Sequence, residues 1–165
     1  MPSGMPDKIR RIVTGHNDKA EAVVKIDEVM EPEVIRGAAA LFTKVWTTDT
    51  SPADNNDDFD GAERETGLVC PGGTVLRFVD MPPGSRSPLH RTESMDYGIV
   101  LAGQVKMELD GGERVPLKPG DVVVQRGATH AWINAGEDWA RMVFSMTDAI
   151  PATVGGNTLG LEYRD

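Results

Sequence analysis

The chain holds three histidines, His16, His90 and His130. His90 and His130 fall on short runs that read as β-strands, each beside a turn. Strand side chains alternate between faces, so His90 and Thr92 point one way, and His130, Trp132 and Asn134 share a face. In a small barrel one face is the interior, and both imidazoles can converge there. Imidazoles and a carboxylate can ligate a metal, hold a small ligand or move a proton. Asp96 is the candidate carboxylate. Six residues of straight strand would carry it roughly 20 Å from His90, at about 3.3 Å per residue. The chain must therefore turn near Glu93–Ser94 to bring Asp96 back beside His90.

The elements that would position these groups are short and closely punctuated. Glycine occurs 18 times and proline 11 times in 165 residues. From Thr74 onward, turn signals recur at the spacing of an all-β sandwich or barrel. Strands are expected over Thr74–Met81, Met95–Ala102, Val105–Leu109, Glu113–Leu117, Val122–Gln125, His130–Asn134 and Ala140–Met146. Asp110-Gly111-Gly112 is a hairpin signal, and Lys118-Pro119-Gly120-Asp121 a turn. Earlier in the chain, Lys8–Thr14 and Glu21–Ile26 read as strands around a loop that carries His16, where exposure is expected. Ile35–Leu41 reads as a short helix or a strand, and Phe42–Thr48 alternates as a strand. Asp54–Asp60 reads as a solvated polar loop, because it lacks the ligand spacing of a calcium loop. Many short antiparallel strands favour a closed barrel or double sheet, which removes exposed edges.

Two stretches resemble the sequence motifs of the cupin superfamily. Gly84-Ser-Arg-Ser-Pro-Leu-His90-Arg-Thr92-Glu-Ser-Met-Asp96-Tyr-Gly-Ile-Val-Leu-Ala-Gly103 resembles the first motif, with Thr92 in place of its second histidine and Asp96 in place of its glutamate. Gly120-Asp-Val-Val-Val-Gln-Arg-Gly127-Ala-Thr-His130-Ala-Trp-Ile-Asn134 resembles the second, with Gln125 where proline is usual. The resemblance implies a cupin-type jelly-roll β-barrel. The expected layout is one domain over 1–165, with the barrel at about 74–147, N-terminal strands and loops at 8–70 and a short C-terminal tail at 148–165. It further implies one divalent transition metal (zinc, iron, manganese or nickel) held by His90, Asp96 and His130. Two imidazoles and a carboxylate leave positions open for water and substrate.

The function implied is a metal-dependent small cupin enzyme acting on a small carbonyl-bearing or carboxylated molecule, as a lyase (dehydratase or decarboxylase) or an isomerase. An iron-dependent dioxygenase and a non-catalytic ligand-binding cupin are the alternatives. Asp96 is the candidate for proton movement, with the Thr92 hydroxyl beside it on the wall. Met107 and Trp132 are candidate substrate contacts. Arg77 interrupts an apolar strand and reads either as an outward charge or as a clamp for a substrate carboxylate. Tyr97 has the opposite parity to Asp96 and is expected to point outward. Cys70 reads as a small thiol in a turn, and a lone cysteine excludes an intrachain disulfide.

A net charge of −9 argues against nucleic acid as a partner. No apolar run is long enough to cross a bilayer as a helix, and Met1–Asp7 lacks the regions of a signal peptide. A soluble cytoplasmic protein is expected. The resemblance also implies a homodimer in which strands near Arg10–Thr14 pad the partner's sheet.

Overall fold

A computed structural model describes residues 4–35 and 40–164. Fifteen strands run through it: β1 (Arg10–His16), β2 (Ala22–Val29), β3 (Glu33–Ile35), β4 (Ala40–Thr48), β5 (Thr74–Met81), β6 (Leu89–Arg91), β7 (Ser94–Ala102), β8 (Val105–Leu109), β9 (Arg114–Leu117), β10 (Val122–Arg126), β11 (His130–Asn134), β12 (Ala140–Asp148), β13 (Ala152–Val154), β14 (Asn157–Leu159) and β15 (Glu162–Arg164). No helix is present among the described residues, and none is long and apolar enough to cross a membrane. Of the expected Ile35–Leu41 segment, residues 36–39 lie outside the described residues, and its ends belong to β3 and β4.

All pairings are antiparallel. One sheet has the order β10-β7-β12-β5-β4-β3, and the other β15-β6-β11-β8-β9. Each strand reads as alternation: β7 buries Ser94, Asp96, Gly98 and Val100, and β12 buries Ala140, Met142, Phe144 and Met146. These inward rows meet Val105, Met107 and Trp132 from the second sheet in one core cluster. Trp132 and Phe144 touch edge to face across the gap, with ring centroids 5.4 Å apart. Two sheets face to face around a shared core make the jelly-roll barrel expected of the sequence.

Gly98 makes room for that contact, because a Cβ there would lie 2.8 Å from Phe144 Cε1. Gly103 takes φ +79° and turns β7 into β8, where a side chain would strike the backbone of Ala140. Across β5 and β12, Asp80 holds Arg141 with two bonds of 2.6 and 2.8 Å.

β1 and β2 form their own hairpin. It is pinned to the body by buried Arg11, which donates to both carboxylate oxygens of Asp60, to Glu28 and to the Val45 carbonyl. The C-terminal tail is more structured than expected. β13 and β14 form a hairpin, and β15 adds a strand to the edge of β6.

Candidate functional site

β6 is only three residues long, yet it is flanked on both sides. β11 lies on one side with His130 directly opposite His90, and β15 lies on the other with Tyr163 opposite His90. Side chains directly opposite in an antiparallel pair have Cβ atoms about 5 Å apart. Tyr163, His90 and His130 therefore form a row of three rings across the five-stranded sheet. The imidazole centroids are 4.5 Å apart, and the Tyr163 ring stacks on His90 at 6.2 Å and 14°.

The backbone orients each imidazole in the same way. His90 Nδ1 lies 2.9 Å from the Pro88 carbonyl, and His130 Nδ1 lies 2.9 Å from the Ala128 carbonyl. A carbonyl only accepts, so in the neutral rings the proton sits on Nδ1 and the lone pair on Nε2. Among the described residues neither Nε2 has a partner. Burial lowers the His130 pKa from 6.5 to about 4; the neighbouring His90 adds to the fall, and the bond to Ala128 opposes it. His130 is thus neutral at physiological pH.

Asp96 reaches the same cavity from the facing sheet. The expected turn occurs at Thr92–Glu93, but β7 does not fold back beside β6: it crosses to the other sheet and pairs with β10 and β12. Sheet closure, rather than a hairpin, brings Asp96 towards His90. Ser94 Oγ donates to Asp96 Oδ1 at 2.6 Å, and Thr92 Oγ1 lies 3.4 Å from Oδ2. Burial raises the Asp96 pKa, and these hydroxyls, His90 and Arg77 pull against that rise.

The cavity between the sheets measures about 420 Å³, within the range of small-molecule sites. His90, His130, Asp96, Arg77, Trp132 and Tyr163 line it. The remaining wall is largely apolar, from Phe42, Leu68, Val79, Met81, Phe144 and Met146. Arg77 points inward and is 6% exposed. Met107 is buried but does not line the cavity; it accepts a bond from Gln125 Nε2 instead. Thr92 likewise stands behind Asp96 and off the cavity wall. Tyr97 and His16 are exposed, and Cys70 is buried.

Tyr163, Leu68 and Phe42 escaped the sequence reading. Tyr163 sits on a three-residue strand whose partner lies some seventy positions earlier, so no local periodicity marks it. Arg91 fastens that strand, bonding the Gly160 carbonyl at 2.7 Å and pairing with Glu162 at 2.8 Å.

The donor set is short of a metal centre. Two imidazole lone pairs stand together, but among the described residues no three His, Cys, Asp or Glu side chains come together as a metal-holding group. Thr92 carries a hydroxyl where the resembled motif has an imidazole. Asp96 is engaged by Ser94 and Thr92. His90, Asp96 and His130 all line the cavity, without being gathered into one three-ligand group.

Residues 77–146 match the family described as "Cupin domain". Over 159 residues the chain is 40% identical to Phomopsin biosynthesis cluster protein D of Diaporthe leptostromiformis, covering 91% of this chain and 84% of that protein. The chain belongs to the cupin superfamily. A second relative, the cupin-domain-containing oxidoreductase fogC of Aspergillus ruber, is 34% identical over 159 residues, covering 92% of this chain and 78% of its own length. The polyketide cyclase RemF from Streptomyces resistomycificus superposes with a TM-score of 0.54 at 18% identity, over 81% of this chain and 79% of that one. That likeness is one of the cupin fold.

Proposed function

We propose that this cupin is an enzyme of small-molecule biosynthesis that moves a proton on a carbonyl-bearing or carboxylated substrate, as an isomerase or a lyase. One arrangement carries the reading: a buried carboxyl on one sheet faces the His90–His130 pair on the other, across a mostly apolar cavity. Burial holds the Asp96 carboxyl above its ordinary range, and a carboxyl raised in this way takes and returns protons more readily near neutral pH. Ser94 fixes one of its oxygens. The two Nε2 atoms offer hydrogen-bond positions that would orient a substrate hydroxyl or enol. Apolar walls exclude water, which strengthens each of these interactions. The kinship with a phomopsin cluster protein supports a place in secondary-product assembly.

The test is deuterium exchange. A panel of small aromatic ketones and 2-oxo acids, incubated with the protein in deuterated buffer, should exchange protons next to the carbonyl faster than in buffer alone. Asp96→Asn should slow that exchange about 100-fold, the usual scale for one acid–base group. No acceleration by the wild type, or an unchanged rate in Asp96→Asn, would defeat the proposal.

A second reading is oxidation supported by a redox metal. The relatives named as oxidoreductases favour it. It requires metal in the purified protein that is lost in a His90→Ala/His130→Ala double variant, together with oxygen uptake on adding ferrous iron. Equal metal in both forms would exclude it.

A further inference from the structure

Arg77 is a cation placed where a soluble protein rarely leaves one. It belongs to β5, on the inward face, and 6% of its surface is exposed. Its Nη2 donates to the Gly67 carbonyl at 3.1 Å and the Leu68 carbonyl at 2.6 Å. The guanidinium also lies over the Phe42 ring, 5.5 Å from its centroid. These contacts fix its plane without neutralising its charge. Among the described residues no carboxylate comes within ion-pair distance, Nη1 has no hydrogen-bond partner, and Nε is sealed without one. Asp96 and the Tyr163 hydroxyl act on it from a distance. A buried charge is normally paired or bonded at every polar atom, because desolvation is costly.

Arg77 stands opposite Phe144 on β12, whose ring fills the space over Gly98 on β7. Arg77 lines the cavity beside Phe42, Leu68 and Phe144. A guanidinium Nη1 without a protein partner can donate a charge-assisted hydrogen bond to a carboxylate.

We propose that Arg77 is the counter-charge for an anionic oxygen of the substrate, so that the cavity selects small organic carboxylates with an apolar body over their neutral counterparts. This rests on reading the cavity as the substrate site. The carboxylate would sit against Arg77 with the hydrocarbon part among Phe42, Trp132 and Phe144. The reacting carbon would then lie between Asp96 and the histidine pair. Arg77 would act as a positioning and specificity residue, setting which end of the molecule meets the proton-moving groups.

The experiment compares two isosteric probes, 3-phenylpropionate and 3-phenylpropanamide, by calorimetric titration of the whole chain. The carboxylate should bind about 10- to 100-fold more tightly than the amide, the range for hydrogen bonds to a charged group. Arg77→Met should remove that preference while still binding the amide, which shows that the cavity remains folded. Arg77→Lys should keep the sign of the preference and reduce its size, because a flexible, strongly hydrated ammonium lacks the fixed plane of the guanidinium. Equal binding of the two probes by the wild type would overturn the role of Arg77 and leave the cavity reading standing. An undiminished preference in Arg77→Met would do the same. Binding of neither probe would overturn both.

Discussion

The imidazole of His130 links site chemistry to stability. In the unfolded chain it takes up a proton near pH 6.5; in the fold it resists protonation until about pH 4. Between those values the unfolded state holds more protons, so its contribution is complete above about 6.5 and lost as the pH falls towards 4. The difference corresponds to about 3 kcal/mol in all, of which about 2 kcal/mol falls between pH 7.5 and pH 5. Urea unfolding at those two pH values should show wild-type stability dropping by that much more than in His130→Gln, which cannot titrate. Parallel losses in the two proteins would refute the assignment. Asp96 works in the other direction: its pKa is raised, so its contribution is complete below the unfolded value and is lost as the pH rises through the folded one. The two groups oppose each other across one cavity.

At the scale of elements, β15 is the strand to watch. It has three residues, pairs among the described residues only with β6, and carries Tyr163 against His90. Its hold comes from Arg91, which bonds Gly160 and Glu162, and from Arg164, which meets Asp110 at 3.2 Å. Arg91→Ala should release β15 without unfolding the barrel. Amide exchange at Leu89–Arg91 should then accelerate at least tenfold, and affinity for the carboxylate probe should fall. Unchanged protection at those amides would mean that the pairing holds without the arginine. This element also shows where sequence reading stops. Strand alternation and two glycine-framed motifs placed His90 and His130 on inward faces, and both line the cavity. Arg77 was ambiguous because β5 is apolar on both sides: Val75 and Val79 point in, while Leu76 and Phe78 point out. Nothing local fixes which parity faces the core; only pairing with β4 and β12 decides it. Tyr163 was invisible for the same reason in stronger form. Asp96 was expected on a returning hairpin, yet its approach depends on a crossover between sheets that no spacing rule encodes.

At the scale of the molecule, the β1–β2 hairpin presents an exposed apolar face. Ile12, Val24 and Val29 are each more than half exposed there, and a two-stranded ribbon is marginal alone in water. We expect the hairpin to lie on a second copy of the chain, as the family resemblance implied. Light scattering at micromolar concentration should give a dimer mass, and Ile12→Lys with Val24→Lys should reduce it to that of one chain. A monomeric wild type would contradict this.

The meeting of Trp132 and Phe144 has a consequence beyond packing. One sheet carries the imidazoles, the other carries the carboxyl and the guanidinium, and no backbone bond links His90 or His130 to Asp96 or Arg77. The two aromatic rings act as a shim between the half-sites and set how far apart they stand. Shaving either ring would bring the walls to a new separation and mistune the chemistry, although every ionisable atom would still be in place.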